Sequence, residues 1–268
     1  PMKKITRFLR NSVTTQALVL VSLFPSLVLW SPSLQANPVG GMVTGGAAEI
    51  GEGLGGHLQI MQHRQRAVID WASFSIAAGE LTQFLQPGAD AAVLNRVNSG
   101  VPSSIFGALQ ANGNVAVINT AGILVGPSGT IDVNGLLMST LDVSNADFMG
   151  GGDMLFRGTT DAGVTNMGRI NAVGGDVFLL GKTVVNSGAI SAANGTVGLA
   201  AGEEVLITAV ADPAGERVFV RPTAGVGGGT GVDNSGTIEG AMVELKAHGN
   251  MYALAINNSG MIRATGSA

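Results

Sequence analysis

Residues 112–148, NGNVAVINTAGILVGPSGTIDVNGLLMSTLDVSNADF, decide the fold. The stretch is a succession of short apolar alternations, each stopped by Gly, Asn, Ser or Pro, and it contains no helix-length run. Val115, Val117, Ile123, Val125, Ile131 and Val133 read as strand residues, because β-branched side chains suit a pleated, half-buried surface. Asn112-Gly113, Ser128-Gly129 and Asn134-Gly135 punctuate them, since Asn and Gly adopt the left-handed conformations of tight turns.

Beyond this stretch the chain repeats itself. One phrase, Asn-x-Gly-x-Ile, starts at Asn166, Asn186, Asn234 and Asn258, in steps of 20, 48 and 24 residues, with a weaker copy at Pro127–Ile131. A second phrase falls between these: GGDMLF at 151–156, GGDVFL at 174–179, NGTVGL at 194–199 and GAMVEL at 240–245. Two interleaved phrases sharing one period point to one structural unit per period, built from short strands and turns. The fold class this implies is all-β, a right-handed parallel β-helix in which each rung stacks on the one before. Such stacking places Ile170 over Ile190 in the interior and Asn166 over Asn186 at a turn, where side-chain amides can form a ladder. The four asparagines 166, 186, 234 and 258 are therefore the expected repeat turns.

Working outward, 57–86 (His57-Leu58-Gln59-Ile60 onward) alternates and is expected to supply an N-terminal β cap, because an open end of a strand stack leaves pairing groups exposed. The doubled step between Asn186 and Asn234 contains two strand-like runs, Val205–Val210 and Arg217–Arg221, joined by the turn-rich Ala211–Gly215. They read as a hairpin projecting from the rod at about 203–232. Met261–Ala268 stops within a repeat, which suggests either a chain that continues downstream or a truncated reading frame. The resulting division is 1–36, a leader; 37–111, cap and first rungs; and 112–268, rungs.

The leader reading rests on Lys3, Lys4, Arg7 and Arg10, then the apolar Ala17–Trp30, then Ser33-Leu34-Gln35-Ala36 as a small-residue cleavage site. That is the three-part layout of a secretory signal peptide. A membrane anchor would need about 20 apolar residues. Removing this leader takes away four positive charges and no negative ones, moving formal net charge from −4 to −8. No run of basic residues survives past Arg10, which argues against nucleic acid as a partner, since phosphate backbones are bound by clustered Lys and Arg. The chain has no cysteine, which excludes a disulfide framework and any thiolate metal site.

Catalytic chemistry finds little footing. Asp153 and Asp176 hold the same place in the second phrase and would stack, as carboxylates do in β-helix polysaccharide enzymes. The next copies put Thr196 and Met242 there, and Asp after Gly-Gly is commonly a turn residue. Glu203 and Glu204 are adjacent and so face opposite sides of a strand. His57 and His63 share a face but lie roughly 20 Å apart on one strand, and His248 stands alone. Trp71, beside Val68, Ile69 and Phe74, reads as core. Gly51, Gly53 and Gly56 satisfy G-x-G-x-x-G without the strand before and helix after that the motif requires. No catalytic residue, metal site or cofactor is expected.

The order of motifs resembles the filamentous haemagglutinin family, specifically its N-terminal two-partner secretion, or haemagglutination activity, domain. The resemblance is carried by His57–Gln62 (HLQIMQ), Val68–Ile76 (VIDWASFSI), Gln86-Pro87, Asn95-Arg96-Val97, Ser104–Gly107 (SIFG), Ala111-Asn112-Gly113 and Ser139–Phe148 (STLDVSNADF). It covers about residues 37–200. The family's Asn-Pro-Asn-Gly-Ile loop here reads Asn119-Thr120-Ala121-Gly122-Ile123, so Asn119, Gly122 and Ile123 match while Thr120 and Ala121 replace Pro and Asn. The resemblance implies that this loop, with Asn95 and Arg96, serves secretion and transporter recognition. It further implies export by the Sec machinery and passage through a partner outer-membrane β-barrel transporter with periplasmic domains. Folding outside, as part of a cell-surface adhesin that could meet a host glycan or protein, would follow. Two rivals stand beside it: a carbohydrate-active β-helix enzyme and an autotransporter passenger.

Overall fold

The computed structural model describes residues 37–221, 229–248 and 254–266. The leader (1–36), part of the glycine-rich return after the hairpin (222–228), and the last two residues lie outside the described residues.

The chain coils around three faces. The first face carries Arg66–Trp71, Ala92–Val97, Asn114–Asn119, Gly135–Ser139 and Val177–Gly181, followed by the C-terminal halves of Ala189–Ala201 and Thr237–Ala247, all parallel. The second carries Ser103–Ile105, Ile123–Val125, Val164–Asn166, Val184–Asn186, Thr230–Asn234 and Leu254–Asn258. The third runs from His57–Gln62 through Leu81–Leu85, Ala108–Ala111, Thr130–Val133 and Arg169–Ala172 to Met261–Ala264. This is the parallel β-helix expected from the repeats.

Because the side-chain period of a strand is two, each rung sends alternate residues inward, and parallel stacking turns them into columns. Ile131, Ile170, Ile190, Ile238 and Ile262 follow one another in register on the third face. Ile69, Asn95, Val117, Met138, Leu179, Leu199 and Leu245 do so on the first.

Three expectations need correction. The cap is not 57–86, whose strands already pair in parallel as rungs. It is Met42–Gly45 and Ala48–Ile50, which pair antiparallel with Arg66–Trp71 and His57–Gln62 and so close the first rung to further parallel addition. A Cβ on Gly46 would meet the Arg66 carbonyl oxygen at 2.1 Å, and its φ is +71°, so the turn between the two cap strands requires glycine.

Second, GGDMLF is not a rung. Met154–Arg157 pairs antiparallel with Glu204–Ile207, and the partner of Val177 in the preceding rung is Leu136. Asp153 and Asp176 therefore do not stack.

Third, the hairpin strands, Glu204–Ile207 and Val218–Val220, do not project. With Met154–Arg157 they form a three-stranded sheet that lies flat on the outside of the first face. Residues 230–232, placed at the end of the hairpin by the sequence reading, belong with Asn234 to the second-face strand Thr230–Asn234.

Both excursions, 142–157 and 204–220, leave the coil after a first-face strand, and they meet as one flap. Outward residues of the first face (Val68, Leu94, Ala116, Leu137, Phe178, Leu180) are buried against Phe148, Phe156, Val205, Ile207 and Val218 of the flap. This makes a second apolar core outside the coil. A short helix, Asn145–Gly150, completes the flap. Ser144 caps its first turn by accepting from the Asp147 N–H, and Gly151 ends it at φ 73°.

Candidate functional site

The Asn119–Ile123 loop forms the corner between the first and second faces. Asn119 is fully buried. Its Nδ2 donates to the Val101 carbonyl and to Ser103 Oγ, both at 2.9 Å. Its Oδ1 accepts from Ala121 N–H at 2.9 Å, and its carbonyl accepts from Gly122 N–H at 3.0 Å. Gly122 has φ +122°, Ile123 points into the core, and Thr120 is exposed at the apex. The three positions shared with the family's loop thus anchor the corner, while the two substituted positions form its tip. Here the turn closes with Thr120 and Ala121 at those two positions, and Asn119 braces it through its own side chain.

Asn95 and Arg96 face opposite ways on one strand. Asn95 points inward, accepting from Trp71 Nε1 at 2.9 Å and donating to the Ala116 carbonyl at 3.2 Å. This satisfies a polar group buried within an aliphatic column. Arg96 points out and clasps the flap, donating from Nε to Asp142 at 3.0 Å and from its terminal nitrogens to Asn145 and to the Val143 carbonyl, both at 2.7 Å. The structure does not bring Asn95 or Arg96 into contact with the Asn119 loop through any side-chain hydrogen bond.

The repeat turns form the expected ladder. Asn166 donates to Asn186 at 2.8 Å, Asn186 to Asn234 at 2.7 Å, and Asn234 to Asn258 at 2.7 Å. Asn166, Asn186 and Asn234 are fully buried.

The candidate catalytic groups are held apart in structural roles. Asp153 accepts from the Ala209 N–H, whereas Asp176 accepts from the Thr196 N–H and pairs with Arg217. His63 lies 3.1 Å from Glu49. Among the described residues no three His, Cys, Asp or Glu side chains gather as a metal site.

Sequence reasoning missed the residues that join flap to coil. Glu244, 5% exposed, accepts from the Arg217 and Val218 N–H groups at the hairpin's edge. Arg217 lies over the Phe178 ring and Arg66 over the Phe148 ring. Between flap and first face lies a cleft of about 420 Å3. Glu244 falls inside a repeat phrase as a polar outward residue, and nothing local marks it as buried.

A capped parallel coil braced by a corner asparagine and covered by a flap defines a β-helix domain with a second sheet laid on one face. Residues 35–267 match the family described as TPS secretion domain, and the chain belongs to that family. It is similar to a Heme/hemopexin-binding protein of Haemophilus influenzae strain Rd, 30% identical over 225 residues, covering 81% of this chain and 24% of that protein. A second Haemophilus influenzae protein of the same description is 40% identical over 86 residues, 32% of this chain and 9% of the relative. The chain thus spans about a quarter or less of the relatives it matches. Among solved structures, the HMW1 secretion domain from Haemophilus influenzae superimposes with a TM-score of 0.63 at 30% identity, over 75% of this chain and 58% of that one. The filamentous hemagglutinin secretion domain does so with a TM-score of 0.59 at 13% identity, over 85% and 98%; this second likeness bears on the fold.

Proposed function

We propose that this domain directs export of a larger surface protein through a partner outer-membrane β-barrel with periplasmic domains, after Sec translocation and removal of residues 1–36. The observation that carries the reading is the family match across cap, coil and flap together. Once outside, the capped first rung offers one pairing edge, and each rung presents backbone groups and an inward column to the next. Folding then draws chain outward without a nucleotide-driven motor. The Asn119–Ile123 corner, with Asn95 and Arg96, is the part of the domain that the transporter selects for, through its effect on how the first rungs close. We read the domain as a secretion module and not as a polysaccharide enzyme built on Asp153 and Asp176, which do not stack.

The protein that this domain exports is read as an adhesin for a host glycan or protein. A second reading, capture of haem or haemopexin, is favoured by the description of the relatives.

The test is co-expression of the leader-bearing chain with a two-partner-secretion barrel transporter, scoring folded, protease-resistant chain in the medium. Release should require the barrel. Equal release without it, or turnover of a polysaccharide by the folded domain, would overturn the reading.

A further inference from the structure

The rung that follows the Asn119–Ile123 corner is not closed in one pass. After Gly135–Ser139 the next second-face strand is Val164–Asn166, which pairs with Ile123–Val125. The excursion 142–157 lies between the two. The stretch that stacks on the corner is therefore the return from the flap, 158–163, and not chain continuing directly from Ser139.

This return grips the corner at its tip. Thr160 Oγ1 donates to the Thr120 carbonyl at 2.7 Å and accepts from the Ala162 N–H at 3.1 Å. The Ile123 N–H donates to the Gly163 carbonyl at 3.2 Å. A Cβ on Gly122 would lie 3.8 Å from Ala162 Cβ, so the two stretches touch as well as bond. Thr140 Oγ1 donates to the Ala162 carbonyl at 3.1 Å, which ties the return to the end of the first-face strand.

The base of the excursion fixes where the return starts. Asp142 and Arg157 exchange two backbone hydrogen bonds, both at 2.9 Å, so the chain leaves and re-enters at one point. Arg96 clasps Asp142 there. Strand pairing sets Val97 beside Asn119 at the foot of the corner, but the tip is held from the return.

Thr120 is exposed, so water satisfies its carbonyl when the Thr160 hydroxyl is absent. Losing this bond leaves no buried group unpaired and costs little global stability. The loss shows instead as freedom of the tip.

We propose that Thr160 is a positioning residue for the Asn119–Ile123 corner: by holding the Thr120 carbonyl it fixes the tip offered to the transporter. Resting on the export reading above, this makes closure of the corner wait for chain 40 positions further on, after the flap excursion has folded back. A matched contact elsewhere separates positioning from ordinary stacking of turns. Ser128 Oγ also donates to a carbonyl of the preceding rung, that of Phe106 at 2.8 Å, at a corner the proposal does not involve.

The experiment compares Thr160→Val, Thr160→Ser and Ser128→Ala, each as purified folded chain and each co-expressed in leader-bearing form with the barrel transporter. Amide hydrogen exchange is read at Ala121 and Gly122, whose N–H groups bond to Asn119. Thr160→Val should speed exchange at both by at least about threefold and lower transporter-dependent release by a similar factor. Thr160→Ser, which keeps the hydroxyl, should restore both. Ser128→Ala should change neither, with a urea midpoint that matches Thr160→Val. If the valine variant does not fold, Thr160→Ala is read in its place. Unchanged exchange at 121–122, no rescue by serine, or an equal fall of release in Ser128→Ala would overturn the proposal. Release of the unaltered chain without the transporter would instead overturn the export reading, and the exchange result would then decide by itself whether Thr160 fixes the tip.

Discussion

Asn186 donates its Nδ2 proton to Oδ1 of Asn234 at 2.7 Å although 48 positions separate them. The neighbouring steps of the same ladder span 20 and 24 positions. The additional chain between Asn186 and Asn234 includes the Glu204–Ile207 and Val218–Val220 hairpin, so a rung can release a long excursion and still close on the next rung in register. Register survives because the stacked asparagines satisfy one another only when aligned.

Removing a middle member of that ladder should therefore cost more than removing its end. Asn186→Ala strands the Asn166 donor and the Asn234 acceptor in a buried setting, a loss of about 2–4 kcal/mol. Asn258→Ala, at the exposed end of the ladder, should cost under about 1 kcal/mol. Urea unfolding of both variants checks the ranking; equal losses would refute the ladder's role.

The glycine of the repeat phrase is a matter of clearance between rungs. A Cβ on Gly188 would lie 2.1 Å from the Gly168 carbonyl oxygen, and one on Gly236 would lie 2.1 Å from that of Gly188. Gly188→Ala should lower stability by about 2 kcal/mol or more, since overpacking against backbone cannot be relieved by a rotamer change. Gly88→Ala, where nothing lies within 4 Å, should be neutral or stabilising by about 0.5–1 kcal/mol. Melting temperatures of the pair measure the contrast.

Arg96 should not be replaceable by lysine. Its three nitrogens serve three acceptors on 142–145, and a lysine ammonium cannot reproduce that planar spread. Arg96→Lys is expected to cost about 1.5–3 kcal/mol, the range for hydrogen bonds to a charged group. It should also expose 142–158 to limited proteolysis while the coil stays protected. Unchanged cleavage kinetics would show that the clasp does not hold the flap.

Glu204 gives the flap an acid limit. The hydrogen bond from Arg157 holds its carboxyl below the ordinary 4.5, Arg221 adds to the effect, and desolvation works against it. A depressed folded-state pKa means that the ionised pair stabilises fully above pH 4.5 and loses its contribution as pH falls through the lowered value. The difference in urea midpoint between the unaltered chain and Glu204→Gln should hold steady from pH 7 to 5 and shrink below 4.5. A difference that persists at pH 3 would sink this reading.

The amino-acid order by itself specified the repeating unit, and the reason is local. Asn, Gly and a β-branched residue at fixed spacing dictate a turn followed by an inward side chain, so the isoleucine columns, the asparagine ladder and the hairpin strands could all be read from the chain. Tertiary structure alone decided what happens outside the coil. Met154–Arg157 alternates like a rung strand, yet it pairs antiparallel in the flap, because alternation records which side is buried and not which partner buries it. The roles of Arg66, Arg96, Arg217 and Glu244 were hidden for the same reason. Each meets its partner only when chain 26 to 82 positions away folds against it.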